Sequence, residues 1–179
     1  ERTLGLWALR FLIVALAITP LRRLGGPSLI RYRRAIGLLG FYYACLHLTT
    51  YLVLDLGAYW QQLFADIVKR PYITLGFAAW LLLIPLALTS TRAAMRRLGR
   101  RWGQLHRAVY AAAVLGVLHF IWLVKSDLRE PLLYAAILAV LLTITDSALV
   151  WSAIGGINLL ARGAFLASRS VGLPQHDHD

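Results

Sequence analysis

The chain has 179 residues, of which 59% are hydrophobic and only 15% charged, where an ordinary soluble domain carries ~25% charged residues. Nineteen Lys and Arg against eight Asp and Glu leave a formal charge of +11, yet the cations sit at the ends of apolar runs, as they do where charge fixes orientation in a bilayer. That pattern excludes an ordinary water-soluble domain and argues against a nucleic-acid partner, which would call for a basic stripe interleaved with aromatics.

A helix crossing the hydrocarbon core needs about 20 mostly apolar residues. Five stretches fit in chain order: 3–21, 35–54, 71–88, 102–124 and 131–151. Pro71 is a favourable first-turn residue for the third, and Asp146 is an awkward guest near the end of the fifth. The expected fold is all-α, a polytopic transmembrane bundle of about five spans. Residues 1–151 form its membrane domain, 152–171 an interfacial or extended helix, and 172–179 a disordered tail. Cys45 is the single cysteine, which excludes an intrachain disulfide and cysteine-ligated clusters; it reads as a small buried hydrophobe. No cleavable signal peptide stands out, and the opening at Glu1 rather than Met points to a natural start further upstream.

Orientation follows from the short loops. Arg22, Arg23, Arg31, Arg33 and Arg34 lie between the first two spans, and Arg92, Arg96, Arg97, Arg100 and Arg101 between the third and fourth. The other two loops hold Lys69, Arg70, Lys125 and Arg129. Ten cations against four place the first pair of loops in the cytoplasm. Trp60, Tyr72 and Trp122 then fall near the outer boundary, where aromatic belts belong.

Ionisable groups inside spans are functional suspects by default. His47 lies in the second span, and His106 and His119 in the fourth; His176 and His178 sit in the tail and read as solvated. From the cytoplasmic side His47 is ~20 Å across and His119 ~25 Å, at 1.5 Å per residue, so the two imidazoles share a level on different helices. Either alone is most economically a hydrogen-bond partner of a neighbouring carbonyl. As a pair at one depth, with no acidic relay partner nearby, they point to the axial ligands of a b-type haem held in a bundle. His106 precedes His119 by 13 residues, about 220° around an ideal helix, so the two share a face only if the helix is bulged or bent. It is a candidate ligand for a second haem, a cofactor contact, or an interfacial residue. Arg10, ~10 Å deep in the first span, either snorkels outward as a structural residue or pairs with a haem propionate.

The stretches LRFLIVALAITPLRRL (9–24), LIRYRRAIGLLGFYYACLHLTTYLVLDLG (29–57), RPYITLGFAAW (70–80) and LTSTRAAMRRLGRRWGQLHRAVYAAAVLGVLHFIWLVK (88–125) resemble the MsrQ (YedZ) family. This family is the haem-binding membrane subunit of the bacterial protein-methionine-sulfoxide reductase system, within the ferric-reductase-like transmembrane class. The resemblance extends over about 1–145. It implies a multi-pass protein of the bacterial inner membrane that binds haem b and FMN. The family accepts electrons from a cytoplasmic NAD(P)H-dependent flavin reductase and passes them to MsrP, a periplasmic molybdenum-cofactor enzyme that repairs oxidised methionines in envelope proteins. It implies an electron-transfer subunit rather than the catalytic one. His47, His106 and His119 occupy the family's histidine positions. The family has six spans, and the five here begin at its second; beyond Thr145 the match fades. No glycine-rich phosphate loop marks an FMN site. The rival readings are a stand-alone ferric or quinone reductase, for which no flavin or nicotinamide domain is attached, and a transporter or anchor without redox activity. A transporter would show broken helices or paired acids at mid-membrane, and here only Pro85 and the isolated Asp146 come near that.

Overall fold

The computed structural model describes residues 2–55, 67, 69–124 and 127–146. Trp60, Lys125, everything from 147 onward and hence the expected 152–171 helix, the tail and its two histidines lie outside the described residues. The chain divides into two compact units, 1–142 and 143–179; of the second, the described residues 143–146 form the last turn of a helix. Among the described residues the structure is helical throughout, without a strand.

Helix α1 (Arg2–Arg23) fills the first expected span. It ends in a two-bond cap: Gly26 N–H donates to the Leu21 carbonyl and Gly25 N–H to that of Arg22, with Gly25 at φ +87°. This is the Schellman arrangement, for which glycine is favoured at the left-handed position. Helix α2 (Ile30–Thr50) runs into a π-helical turn, Tyr51–Asp55. Helix α3 (Pro71–Leu88) starts with its proline in the first turn, where no N–H is needed. A short α4 (Arg92–Leu98) lies in what the sequence reads as a loop, its first turn capped by the Thr91 hydroxyl accepting from Ala94 N–H at 3.1 Å. The fourth span is two helices, α5 (Arg100–His106) and α6 (Ala108–Leu123), separated by a turn at Arg107. Helix α7 (Arg129–Asp146) is the described part of the fifth expected span.

Among the described residues four spans are long and apolar enough to cross a membrane: α1, α2 with most of its π-turn, α3, and α5 with α6. Helix α7 is not among them, since its 18 residues include Arg129, Glu130 and Asp146. The tightest helix pairings are α1 with α2 and α3 with α6. On α2 the one buried residue is Gly40, whose missing side chain lets it lie against Leu12 and Ala8 of α1; close approach through small residues is how helices associate in lipid. Two clusters join the pairs. Leu9, Ile13 and Leu16 of α1, at helical spacing, pack on Ala113, Val117 and Phe120 of α6 and Leu138 of α7. Leu12 packs with Leu83 and Leu86 of α3 and Ala112 of α6. Thus α1 is the central helix. Large apolar side chains such as Trp7, Leu39, Tyr42, Leu81, Trp122 and Leu133 face outward. In water they would be a liability; in hydrocarbon they are matched to their solvent.

Candidate functional site: two facing histidines

His47 reaches the site from α2, which is paired with α1; His119 reaches it from α6, which is paired with α3. Their ring centres stand 6.3 Å apart, with the ring planes at 64°. The two imidazoles, placed at one depth by the rise of their helices, face each other.

The orientation of His119 is held from behind. Its Nδ1 lies 2.6 Å from the backbone carbonyl oxygen of Tyr72, at the start of α3. A carbonyl only accepts, so Nδ1 carries the proton and donates, which leaves Nε2 with its lone pair. This is the tautomer of a histidine that binds metal through Nε2, steadied by an outer hydrogen bond. Both rings also lie against glycine. A Cβ at Gly5 of α1 would come 3.3 Å from His47 Cε1 and 3.4 Å from its Nε2, and one at Gly76 of α3 would come 2.9 Å from His119 Nδ1.

These positions suit a haem iron. Ring centres 6.3 Å apart leave room for one metal ion bonded to a nitrogen of each ring at the usual distance of about 2.0–2.1 Å. Among the described residues no group of three or more His, Cys, Asp or Glu gathers into a metal cluster. Two imidazoles are the protein ligands that would hold a haem iron in such a bundle.

His106 is elsewhere, 13 residues and ~20 Å of helix rise from His119. A turn at Arg107 interrupts the helix between the two. Its ring stacks on Trp102, centres 3.9 Å apart at 27°, and its Nε2 is 3.1 Å from Thr89 Oγ1. The Thr89 hydroxyl donates to the Pro85 carbonyl at 2.6 Å, so at His106 it accepts and Nε2 carries the hydrogen. His106 therefore holds the opposite tautomer to His119. Trp102 completes the clasp by donating from Nε1 to the Thr89 carbonyl at 2.9 Å. Beside His106 opens a cavity of about 580 Å³ lined by Arg33, Arg34, Arg107, Trp102, Phe41 and Tyr110 among others, within the ~300–1,000 Å³ of small-molecule sites. It brings together the arginine-rich start of α2 and the arginine-rich α5 region.

Arg10 is turned the other way. It lies five residues from Gly5, ~140° around α1, so it points away from the face that meets His47. Its Nε donates to Tyr134 Oη of α7 at 2.7 Å, its Nη2 is 3.7 Å from Glu130 Oε1, and its guanidinium lies over the Trp7 ring. Arg2 reaches the other Glu130 oxygen at 2.9 Å. These contacts tie α1 to α7. Cys45 sits between α2 and α3 as acceptor for Trp80 Nε1–H at 3.4 Å. Sequence reasoning missed Gly5, Gly76, the Tyr72 carbonyl and Thr89. The signal within reach was a glycine inside a helix, where it costs ~1 kcal/mol relative to alanine and so calls for a reason.

Comparison with known proteins agrees with the resemblance drawn from the sequence. The chain is 64% identical over 143 residues to the protein-methionine-sulfoxide reductase heme-binding subunit MsrQ of Xanthomonas oryzae pv. oryzae strain MAFF 311018, which covers 79% of this chain and 66% of the relative. It is equally similar to the MsrQ of Xanthomonas campestris pv. campestris strain 8004. The MsrQ of Brucella anthropi is 55% identical over 142 residues, covering 79% of this chain and 64% of that protein. The chain thus spans slightly under two thirds of the length of these relatives. No solved structure matches it. The model of the ferric reductase like transmembrane component matches residues 4–117, a stretch that holds α1 from Leu4 onward, α2, α3 and both His47 and His106: the chain belongs to the ferric-reductase-like transmembrane family and is a multi-pass membrane protein.

Proposed function

We propose that this protein is a transmembrane electron-transfer subunit that binds haem b between His47 and His119. In this reading it relays electrons from a cytoplasmic NAD(P)H-dependent flavin reductase to a periplasmic, molybdenum-dependent MsrP-like methionine sulfoxide reductase. The observation that carries it is the facing pair: two imidazoles from two helices, 6.3 Å between centres, with His119 locked in the tautomer that offers Nε2. The similarity to proteins named as heme-binding subunits of a protein-methionine-sulfoxide reductase supports the same reading.

Haem, when bound, supplies reversible one-electron chemistry. The residues of the chain do the rest. His47 and His119 would hold the iron from opposite sides, and the Tyr72 carbonyl fixes the proton of His119 on Nδ1. Gly5 and Gly76 leave room for the two rings, and the apolar helices around them keep water from the centre. No substrate chemistry is assigned to the chain itself. Arg10, engaged by α7, is left as a structural clasp. FMN, the flavin reductase, the MsrP-like partner and the inner-membrane location come from the family resemblance. The arginines of 92–101 would suit a flavin phosphate or an acidic donor protein, and His106 with its cavity is the candidate place for a second cofactor, provided Thr89 yields its hydrogen bond.

The test is a reduced-minus-oxidised optical spectrum of the detergent-purified protein beside His47→Ala and His119→Ala. The expected result is a six-coordinate b-haem spectrum in the wild type that each substitution abolishes. A wild type without haem, even when expressed with ample haem supply, would sink the proposal and bring forward the anchor or transporter reading.

A further inference from the structure

Gly76 stands inside α3 at a place where alanine would form the better helix by ~1 kcal/mol. A Cβ there would lie 2.9 Å from Nδ1, 3.0 Å from Cε1 and 3.2 Å from Cγ of His119, where ordinary contact begins at 3.4 Å. The overlap falls on the nitrogen that donates to the Tyr72 carbonyl at 2.6 Å. Tyr72 lies one turn before Gly76 on the same helix. Helical side chains lean toward the N-terminus, over the turn before their own Cα. Any side chain at 76 therefore covers the carbonyl that His119 uses. The ring cannot slide aside to accommodate a methyl group without lengthening that hydrogen bond.

We infer that Gly76 is a positioning residue for the metal-binding histidine: its bare Cα opens the Tyr72 carbonyl to His119 and so sets the tautomer and ring direction that turn Nε2 toward the iron. The inference rests on the haem reading above and goes beyond it by assigning a residue that has no side chain to act as a ligand. Gly5 is a milder counterpart at His47, with a would-be Cβ at 3.3–3.5 Å from Cε1, Nε2 and Cδ2. Gly116 supplies the control. It lies on α6 three residues before His119, and its added Cβ would meet nothing nearer than Leu9 Cδ1 at 3.9 Å.

Two measurements test this, one with haem and one without. In the haem-loaded protein, Gly76→Ala is expected to turn the six-coordinate low-spin spectrum wholly or partly high-spin, with haem affinity at least tenfold weaker. Imidazole added to the buffer should restore the low-spin bands by taking the place of His119, and Gly116→Ala should keep the wild-type spectrum. In the haem-free protein, Gly76→Ala should lower the melting temperature in the wild-type background and no longer lower it in a His119→Ala background, where the overlap is gone. A Gly76→Ala protein with wild-type spin state, affinity and midpoint potential overturns the inference. So does an equal loss of melting temperature in both backgrounds, which would make Gly76 a packing residue with no dependence on His119. A wild type that binds no haem overturns the haem reading instead, and the haem-free melting comparison still decides the seat.

Discussion

Arg10 divides two accounts of a charge kept inside the first span, and a double-mutant cycle with Tyr134 separates them. Tyr134→Phe removes the Oη that accepts from Arg10 Nε at 2.7 Å while leaving the ring packed beside Phe120. Hydrogen bonds between helices in bilayers average ~0.6 kcal/mol and reach ~1.7. A cationic donor at this distance belongs in the upper half of that range. The expected coupling between Tyr134→Phe and Arg10→Met is ~1 kcal/mol, about a fivefold change in the folding equilibrium. Glu130, 3.7 Å from Arg10 and partly exposed, should add only a few tenths of a kcal/mol. The assay is denaturant unfolding in mixed micelles of the wild type, both single variants and the double variant, with the haem midpoint potential read on each. Zero coupling, with a potential that shifts in Arg10→Met and not in Tyr134→Phe, would refute the structural account and give Arg10 to a haem propionate.

Two further substitutions probe the end of α1. Gly25→Ala forces a methyl-bearing residue to φ +87° where nothing else lies within 4 Å, so the cost is conformational alone, ~1–2 kcal/mol, read as a lower melting temperature; an unchanged melting temperature would show that the cap relaxes freely. Thr19 Oγ1 is buried and has no hydrogen-bond partner among the described residues. Because an unsatisfied buried hydroxyl carries ~1–3 kcal/mol of desolvation cost, Thr19→Val should stabilise the protein by ~1 kcal/mol, and destabilisation would point to a partner for that hydroxyl.

What could be read from the residues was whatever depends on one helix at a time. The span 71–88 coincides with α3 at both ends because Pro71 marks the first turn and the apolar run stops at Thr89. The shared depth of His47 and His119 needed only the rise per residue. The break at Arg107 was harder to see, since neither proline nor glycine stands there. It goes with contacts made across helices, the stacking of His106 on Trp102 and its bond to Thr89. The Thr91 cap of α4 was legible in principle, as a threonine three residues before the N–H that it accepts from, yet its arginines drew the reading toward orientation. The partner of Arg10 was out of reach, because Tyr134 is 124 positions away and no local pattern joins them.

The placement of the two histidines explains why the site depends on helices that carry no ligand. Each histidine is seated by a glycine on its paired helix, His47 by Gly5 across α1 and α2, and His119 by Gly76 across α3 and α6. Each half of the site is thus a tight helix pair, and the distance between the halves is the quantity left to set. It is set where the pairs meet: Leu9, Ile13 and Leu16 against Ala113, Val117 and Phe120, Leu12 against Leu83, Leu86 and Ala112, and α2 directly against α3, where Trp80 Nε1–H reaches Cys45 Sγ. Cores packed this closely do not deform continuously under a change of volume. The spacing of 6.3 Å between imidazoles is therefore a property of the packing between the pairs, to which α1 contributes without carrying either histidine. A bond that requires both rings at once reports on that packing as directly as on the histidines themselves.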